Sequence, residues 1–359
     1  MIFVHVASYK DEFFNGIKSV LEELVPEQRK LGHDVYVFNQ EYNEKEIISG
    51  EIYISSSQEF KDAINEIKPE FVIFHSLYGL SDVRYSWYLN KNKIPYFVEP
   101  HGGTSIENAK KNWFKKKVAN YLYANRFIRK AVGLIYLNKK EQEECVFNKI
   151  RRDSVIIPNG THIHQHQKCV STGGKVRFIF LARIDIIQKG LDLLFPAIEA
   201  FNCCSGMKDK VEFHFYGKAR NPQYAQVFEQ YISEASDNVF FHGPVIGEDK
   251  DKAFQDADIF ILPSRYEGMP MAVLEALSFG LPCILSRQTN VADIIKQYNC
   301  GWITNTTVED IRSSILLAID DLKSRRKELM NNALEAAKLF DWNAVAANSI
   351  KEYARLAVK

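Results

Sequence analysis

Short apolar runs, rich in β-branched and aromatic residues, alternate with longer amphipathic stretches along nearly the whole chain. This alternation predicts βαβ units and parallel sheets, so the predicted fold class is α/β. The predicted strands of the first half are Ile2 to Ala7, Val35 to Phe38, Phe71 to His75, Tyr96 to Glu99, Gly133 to Leu137 and Val155 to Ile157. The predicted strands of the second half are Val176 to Ala182, Val211 to Tyr216, Val239 to Phe241, Ile259 to Leu262, Cys283 to Leu285 and Gly301 to Ile303.

A polar, turn-rich stretch, Thr161 to Gly174, separates the two series of strands and shows no helical periodicity. We therefore predict two doubly wound, Rossmann-like domains, residues 1–165 and 172–342, that face a central cleft. A helix over residues 343–359 is expected to pack back on the first domain. The length of 359 residues agrees with two domains, because a single hydrophobic core rarely grows so large.

Composition and charge exclude several classes of protein. Hydrophobic residues make up 46% of the chain and charged residues 25%, which is typical of a well-packed globular protein. Lys plus Arg (46) nearly balance Asp plus Glu (45), so the net charge gives no indication of nucleic-acid binding. No apolar run reaches the roughly 18 residues needed to cross a bilayer, and the first residues lack a basic leader. The six scattered cysteines are interpreted as reduced thiols, so we expect a cytoplasmic protein.

The segment from Glu267 to Glu275 is the strongest candidate for chemistry. A predicted strand ends just before it, and Pro270 suits the first turn of a helix, where its missing N–H would be orphaned anyway. Exposed backbone N–H groups at that helix start would face an anion, aided by the helix dipole. The two carboxylates, eight residues apart, would reach sugar and ribose hydroxyls. The backbone groups expected to face the anion belong to Gly268, Met269 and Met271.

These residues resemble the E-x7-E segment of retaining glycosyltransferase family 4, whose fold is the two-domain GT-B arrangement. Ala182-Arg183, six residues before Lys189-Gly190, resembles the G-R…K-G element of that family, with Ala182 in place of the usual Gly. The resemblance implies that Arg183 and Lys189 hold the donor diphosphate. It also implies that Glu275 binds the ribose and that Glu267 binds the donor sugar.

Three further segments resemble parts of the same family. Phe241-His242-Gly243, followed by Val245, resembles the loop that borders the nucleotide base. His101 follows a strand end and resembles the histidine that approaches the donor sugar. Gly16 stands where family members often carry two glycines that let the backbone approach phosphate and acceptor, although only one glycine is present here.

The stretch from Ala109 to Lys140 holds ten basic residues and no acidic residue, with aromatic side chains among them. A basic helix with interleaved aromatics suits the surface of an anionic membrane, where an acceptor built on a polyprenyl diphosphate would be found. We therefore expect membrane or acceptor contact there, at the inner face of the plasma membrane. The densest part of the stretch consists of Lys110, Lys111, Trp113, Phe114, Lys115, Lys116 and Lys117.

Together these features predict a retaining transferase that moves a sugar from a nucleoside diphosphate sugar to a hydroxyl. The acceptor would be a lipid-linked or growing saccharide in bacterial surface polysaccharide or glycolipid biosynthesis. Two alternatives stay open, namely a nucleotide-sugar epimerase of the same fold and a non-catalytic subunit that binds nucleotide sugar. No cofactor or metal is expected. His162, His164 and His166 lie in the predicted linker, and Asp256-Ala-Asp258 leads into a strand as an ordinary turn.

Overall fold

The computed structural model describes residues 1–10, 16–43, 47–101, 119–147, 149–150, 153–164, 174–203, 206 and 208–357. The chain divides into two units, and each has its own parallel sheet. One unit comprises residues 1–160 with 342–359, and the other comprises residues 161–341. The stretch that the sequence predicts to separate the domains includes residues 165–173, which lie outside the described residues.

The first unit is built on a seven-stranded parallel sheet. Its strands are β1 (Ile2–Ala7), β2 (Asp34–Asn39), β3 (Glu51–Tyr53), β4 (Phe71–Phe74), β5 (Tyr96–Val98), β6 (Gly133–Tyr136) and β7 (Ser154–Ile156). Their order in the sheet is β3-β2-β1-β4-β5-β6-β7. The chain therefore reverses its winding direction between β1 and β4, and ligands of open α/β sheets bind outside the carboxyl ends of strands at such a point.

The second unit repeats this plan with six parallel strands. They are β8 (Val176–Leu181), β9 (Val211–Tyr216), β10 (Val239–Phe241), β11 (Ile259–Leu262), β12 (Cys283–Ser286) and β13 (Gly301–Thr304). Their order is β10-β9-β8-β11-β12-β13, so the winding direction reverses between β8 and β11. Four residues in a row are buried in both β11 and β12, as expected for strands covered on both faces.

Helices connect the strands, and the last helix returns to the first unit. The helices of the first half are α1 (Gly16–Lys30), α2 (Ser57–Ile67), α3 (Leu80–Lys91), α4 (Asn125–Lys130) and α5 (Lys139–Glu144). Those of the second half are α6 (Leu191–Asn202), α7 (Pro222–Glu234), α8 (Gly247–Asp256), α9 (Met271–Ser278), α10 (Ala292–Tyr298), α11 (Val308–Ala337) and α12 (Trp342–Ala357). No helix of the described ranges is long and apolar enough to cross a membrane.

Helix α12 completes the core of the first unit. It packs against α1. The ring centroid of Tyr353 lies 5.7 Å from those of Phe71 and Phe97, which are on the neighbouring strands β4 and β5. Trp342 packs so closely on Gly160 that a Cβ there would lie 2.3 Å from the indole. Aromatic packing of this kind is a large hydrophobic contribution, so the C-terminal helix is an integral part of this unit.

Candidate functional site

The residues predicted to bind a donor meet at the winding reversal of the second sheet. Strand β8 ends at Leu181 and leads into Ala182 and Arg183, while its neighbour β11 leads into the loop before α9. The two loops are joined because the Arg265 N–H donates to the carbonyl of Gln188, at 2.8 Å. An Arg183 N–H also donates to Oε1 of Gln188, at 3.5 Å. Sequence elements more than 70 residues apart therefore form one local site.

Two glycines make this close approach of loops possible. Gly190 has a φ of 69°, and a Cβ on it would lie 2.3 Å from the carbonyl oxygen of Pro263. Gly217 has a φ of 154°, and a Cβ on it would lie 2.0 Å from the carbonyl oxygen of Ala182. Neither position has room for a larger residue, so both glycines are required by the packing of the site loops.

Lys189 and Glu267 form an ion pair in this site. Lys189 Nζ lies 2.5 Å from Glu267 Oε1, and the two side chains are only 11% and 9% exposed. The Ser264 hydroxyl donates to the same carboxylate oxygen, at 2.7 Å. An ammonium group has three hydrogens, so Lys189 retains donors for a second anionic partner while it neutralises Glu267.

Arg183 carries an unsatisfied donor. Its Nε is buried and forms no hydrogen bond with any residue that the structure describes. A buried donor without a partner costs about 1–3 kcal/mol, and an anion that accepts from it removes this cost. The guanidinium group is therefore suited to bind an anionic ligand.

The start of α9 lies beside these cations. Its N-cap residue is Pro270, and no side chain caps the helix there. Gly268 and Met271 are half-buried, whereas the side chain of Met269 is buried in the core, where a ligand would not reach it. The uncapped helix start adds a partial positive charge to the same region.

Glu275, one turn further along α9, also has a cationic partner. Lys250 Nζ lies 2.9 Å from Glu275 Oε1, and the two side chains are 30% and 22% exposed. Lys250 belongs to α8, which the sequence did not associate with the site. The pair places the Lys250 ammonium group beside the Glu275 carboxylate, near the start of the helix.

The loop after β10 reaches the same end of the sheet. Gly217 N–H donates to the carbonyl of Gly243, at 2.9 Å, and Gly243 has a φ of 76°. The His242 ring stacks on Tyr216 with 4.6 Å between centroids, and it shares a hydrogen bond with His214. Burial lowers the pKa of both histidines, which favours neutral rings. Val245 is half-buried in this loop.

In the first unit, His101 belongs to a buried cluster at the carboxyl ends of the strands. Its backbone is left-handed, with a φ of 48°, which is uncommon for a residue with a side chain. His75 Nδ1 lies 2.8 Å from His101 Nε2 and 3.4 Å from a carboxylate oxygen of Glu99. Burial lowers the pKa of His101 to about 4 and raises the pKa of Glu99 to about 8, with Glu141 adding to the second shift.

The same cluster is the group of described residues that could hold a metal ion. One ligand atom each from His75, Glu99 and His101 lies within 4.8 Å of the others. The histidines of the predicted linker are arranged differently, since His164 stacks on Phe279 at 3.9 Å and His166 lies outside the described residues. Asp258 pairs with Arg326 at 2.5 Å and therefore has a structural role. The absence of metal stays a prediction.

For several predicted site residues, the structure shows no contact that would place them in a site. Gly16 is the first residue of α1, and a Cβ on it would meet no described residue within 4 Å. The basic and aromatic residues from Lys110 to Lys117 lie outside the described residues.

Sequence reasoning missed Lys250, Gln188 and Ser264 in the second unit, and His5 and His75 in the first. A sequence signal existed for the two histidines, because His5 interrupts an apolar strand and His75 directly follows one. No comparable signal marks Lys250, which resembles any other lysine on an amphipathic helix.

Comparison with known proteins shows similarity to glycosyltransferases. Residues 163–336 match the family model described as Glycosyl transferases group 1. The chain is 25% identical over 277 residues to N,N'-diacetylbacillosaminyl-diphospho-undecaprenol alpha-1,3-N-acetylgalactosaminyltransferase of Campylobacter jejuni, covering 74% of this chain and 72% of that one. It is 24% identical over 247 residues to UDP-Gal:alpha-D-GlcNAc-diphosphoundecaprenol alpha-1,3-galactosyltransferase of Escherichia coli, covering 64% and 61%.

Solved structures resemble the whole chain in fold. Anabaena HepE in complex with UDP superimposes with a TM-score of 0.79 at 16% identity, covering 99% of this chain and 100% of that one. The predicted fold class, two Rossmann-like α/β domains of the GT-B type, is confirmed by the two parallel sheets and by these structural neighbours.

Proposed function

We propose that this chain, whose second unit matches the family of group 1 glycosyl transferases, is a retaining glycosyltransferase that uses a nucleoside diphosphate sugar as donor. Glycosyltransferase activity as such is supported by the family model and by the names of the relatives. The observation that carries the choice of donor is the meeting of Arg183, Lys189 and the uncapped start of α9 at the winding reversal of the second sheet.

Arg183 and Lys189 bind the diphosphate in this proposal. The diphosphate gains negative charge as the bond to the sugar breaks, and fixed cations and backbone N–H groups stabilise the charge that develops in a transition state. The unsatisfied Nε of Arg183 obtains an acceptor when the donor binds. The start of α9 adds the partial positive charge of a helix N-terminus to the same region, which favours an anion.

The two glutamates bind the uncharged parts of the donor. Glu267 accepts hydrogen bonds from hydroxyls of the sugar, while its second partner, Lys189, bridges it to the diphosphate. Glu275 accepts hydrogen bonds from the ribose hydroxyls and is oriented by Lys250. The loop of Gly243 and Val245 borders the base, and the stacked rings of Tyr216 and His242 supply a flat surface beside it.

The transfer itself needs no covalent intermediate with the protein. The bond from the anomeric carbon to the diphosphate oxygen breaks, and the acceptor oxygen bonds to the same face of that carbon. Because the acceptor oxygen bonds on the face that the diphosphate leaves, the configuration is retained and no side chain acts as nucleophile. The acceptor proton passes to the departing diphosphate. His101 of the first unit orients the donor sugar, and Gly16 belongs to the loop that approaches phosphate and acceptor.

The acceptor is a lipid-linked saccharide in this proposal, and the protein binds the membrane peripherally. The two named relatives act on saccharides carried by diphosphoundecaprenol according to their names. In the first unit, the indole of Trp87 is 58% exposed and shares a shallow depression with Arg84 and Lys91, while Arg126 and Lys130 line the adjacent one. Exposed aromatics among cations favour an anionic lipid surface.

Sedimentation with lipid vesicles tests the membrane contact. We expect binding to vesicles that contain phosphatidylglycerol and little binding to pure phosphatidylcholine. Trp87→Ala combined with Lys91→Ala should weaken binding, whereas Leu317→Ala, at an exposed apolar residue of the second unit, should not. Equal sedimentation with both lipids, or no effect of the double variant, would contradict the membrane proposal.

Product analysis tests the reaction. The purified protein is incubated with nucleoside diphosphate sugars and a polyprenyl diphosphate saccharide, and the anomeric configuration of the product is read by NMR. We expect nucleoside diphosphate release that depends on the acceptor and a product that keeps the donor configuration. Inversion would exclude the retaining mechanism, and conversion of the donor sugar without an acceptor would indicate an epimerase.

A further inference from the structure

A continuous row of hydrogen bonds crosses the first unit from α12 to His101. Gln28 Nε2 donates to Ser349 Oγ at 3.0 Å, and Gln28 Oε1 lies 3.0 Å from His5 Nε2. His5 Nδ1 lies 2.7 Å from His75 Nε2, and His75 Nδ1 lies 2.8 Å from His101 Nε2. His5 lies on β1, His75 directly follows β4, and His101 lies three residues after the end of β5. These strands are neighbours at the winding reversal of the sheet.

The position of each proton follows from the far end of the row. The Ser349 hydroxyl donates to the carbonyl of Ala346 at 2.7 Å, so its oxygen accepts from the Gln28 amide nitrogen. The Gln28 amide oxygen therefore faces His5, and His5 must carry its proton on Nε2. A neutral imidazole has one donor and one acceptor nitrogen, so His5 Nδ1 accepts from Nε2 of His75.

The same rule applies at the next ring. His75 has used its one proton toward His5, so its Nδ1 accepts from Nε2 of His101. Burial keeps the rings neutral, since it lowers the pKa of His5 and His101 to about 4 and that of His75 well below its usual value. All three rings then carry their proton on Nε2.

We propose that Gln28, His5 and His75 are positioning residues that fix His101 as the tautomer with a proton on Nε2 and a lone pair on Nδ1. This inference rests on the proposed function, in which His101 orients the donor sugar. His101 then accepts a hydrogen bond from a sugar hydroxyl through Nδ1, because its other nitrogen is engaged by His75.

The opposite order, with every proton on Nδ1, is disfavoured by Glu99. In that order His101 would donate toward Glu99 Oε1, which lies 3.7 Å from Nδ1 and is too distant for a hydrogen bond. An ionised Glu99 would favour the order with every proton on Nδ1, but burial raises the pKa of this carboxyl to about 8. Glu99 is therefore mainly protonated at pH 7 and does not attract the proton of His101.

A metal ion at His75, Glu99 and His101 is the rival occupant of the cluster. A metal would need a lone pair on His75 Nδ1 and another on a nitrogen of His101. The 2.8 Å separation of His75 Nδ1 and His101 Nε2 is that of a hydrogen bond, in which a proton lies between the two nitrogens. The hydrogen-bonded row accounts for the geometry without an ion.

The direct test is the ring ¹⁵N NMR spectrum of the full-length protein at pH 7, which needs no substrate. We expect His5, His75 and His101 all to be protonated on Nε2. Protons on Nδ1 of these rings would overturn the proposal whether or not the protein is active. If the rings show the expected pattern but the protein has no transferase activity, the row is supported and the proposed function is contradicted. After treatment with a chelator, added Zn²⁺ should leave the ring signals unchanged, and a shift of both His75 and His101 would favour the metal site.

A pair of variants tests whether the row positions His101. Gln28→Met keeps the length of the side chain but removes the acceptor of His5, so we expect mixed tautomers at His101 and a kcat lower by about tenfold, the worth of one hydrogen bond. The KM for the donor should change little. Ser86→Ala is the control for a buried substitution outside the row. Like Ser349, Ser86 is a buried helical serine of this unit whose hydroxyl donates to a carbonyl of its own helix. A wild-type spectrum and kcat for Gln28→Met would overturn the positioning role.

Discussion

Lys189 and Glu267 are 78 residues apart in the chain, yet Nζ of one lies 2.5 Å from Oε1 of the other. The sequence predicted separate roles for them, toward the diphosphate and toward the sugar. In the protein each neutralises the other in a nearly buried position. We therefore expect substitutions at either residue to affect both stability and activity, and the two effects must be separated by experiment.

A double variant separates stability from activity at this pair. Lys189→Met leaves the Glu267 carboxylate without its cation, and loss of one partner of a buried pair costs about 3–5 kcal/mol of unfolding free energy. Lys189→Met combined with Glu267→Gln should recover most of this loss but no transferase activity. Urea unfolding and a transfer assay measure the two quantities. Equal instability of the single and double variants would contradict the account of the pair.

Glu275 should affect donor binding more than stability. Its pair with Lys250 is partly exposed, and such pairs contribute only about 0–1 kcal/mol. Glu275→Gln should therefore raise the KM for the donor several-fold with little change in the unfolding free energy. Lys250→Ala removes the same ion pair and serves as control, with a smaller expected rise in KM. Equal effects of both variants would mean that Glu275 acts only through Lys250.

Gly217 should be intolerant of any side chain. An alanine there would place Cβ 2.0 Å from the carbonyl oxygen of Ala182, directly beside Arg183. We expect Gly217→Ala to lower the unfolding free energy by more than about 1 kcal/mol and to weaken donor binding, since the loop after β8 must move. Gly16→Ala is the matched control, because a Cβ there meets no described residue within 4 Å, and its unfolding free energy should be unchanged or slightly higher. A stable, fully active Gly217→Ala variant would contradict this description.

Gly16→Ala also tests the predicted acceptor loop. If the backbone at Gly16 approaches the acceptor, the variant should keep its stability and its KM for the donor while its KM for the acceptor rises. Steady-state kinetics with each substrate varied in turn distinguish these cases. An unchanged KM for the acceptor would remove Gly16 from the site.

The pH dependence of stability reports the charge of Glu99. Because the folded protein holds this proton up to about pH 8 while the unfolded chain releases it near its ordinary pKa of 4.5, Glu99 destabilises the wild type progressively between these values. Glu99→Gln cannot ionise in either state. Its unfolding free energy relative to wild type should therefore increase with pH across this window, by at most about 1.4 kcal/mol per pH unit. A difference that stays constant across this window, or that shrinks as the pH rises, would show that Glu99 is ionised in the folded protein.

The strands were predictable because buried parallel strands are continuous apolar runs. All twelve predicted strands, such as Val176 to Ala182, begin and end within one residue of those observed. The observed strand that the sequence did not reveal is β3, Glu51–Tyr53. It has three residues, lies at the edge of the sheet and is only partly buried, so neither a run nor an alternation marks it.

The site was predictable only where local sequence determines it. The strand, loop and helix from β11 to α9 are contiguous, so their succession follows from the order of Pro, Gly and apolar residues. The partner of each glutamate is set by packing between distant segments, and Lys250 carries no local mark. The row from Gln28 to His101 depends on the adjacency of β1, β4 and β5, which no spacing in the chain encodes.

The central claim is that Arg183 and its neighbours bind a nucleoside diphosphate, and calorimetric titration with UDP, GDP and ADP tests it most directly. Arg177→Ala is the control, because Arg177 lies on the same strand, before its end, in a partly exposed pair with Glu212. We expect one of the nucleotides to bind wild type and Arg177→Ala alike, and Arg183→Ala to bind about 10- to 100-fold more weakly, as for a lost charge-assisted hydrogen bond. Binding of none of the three nucleotides, or equal binding by Arg183→Ala, would contradict the account.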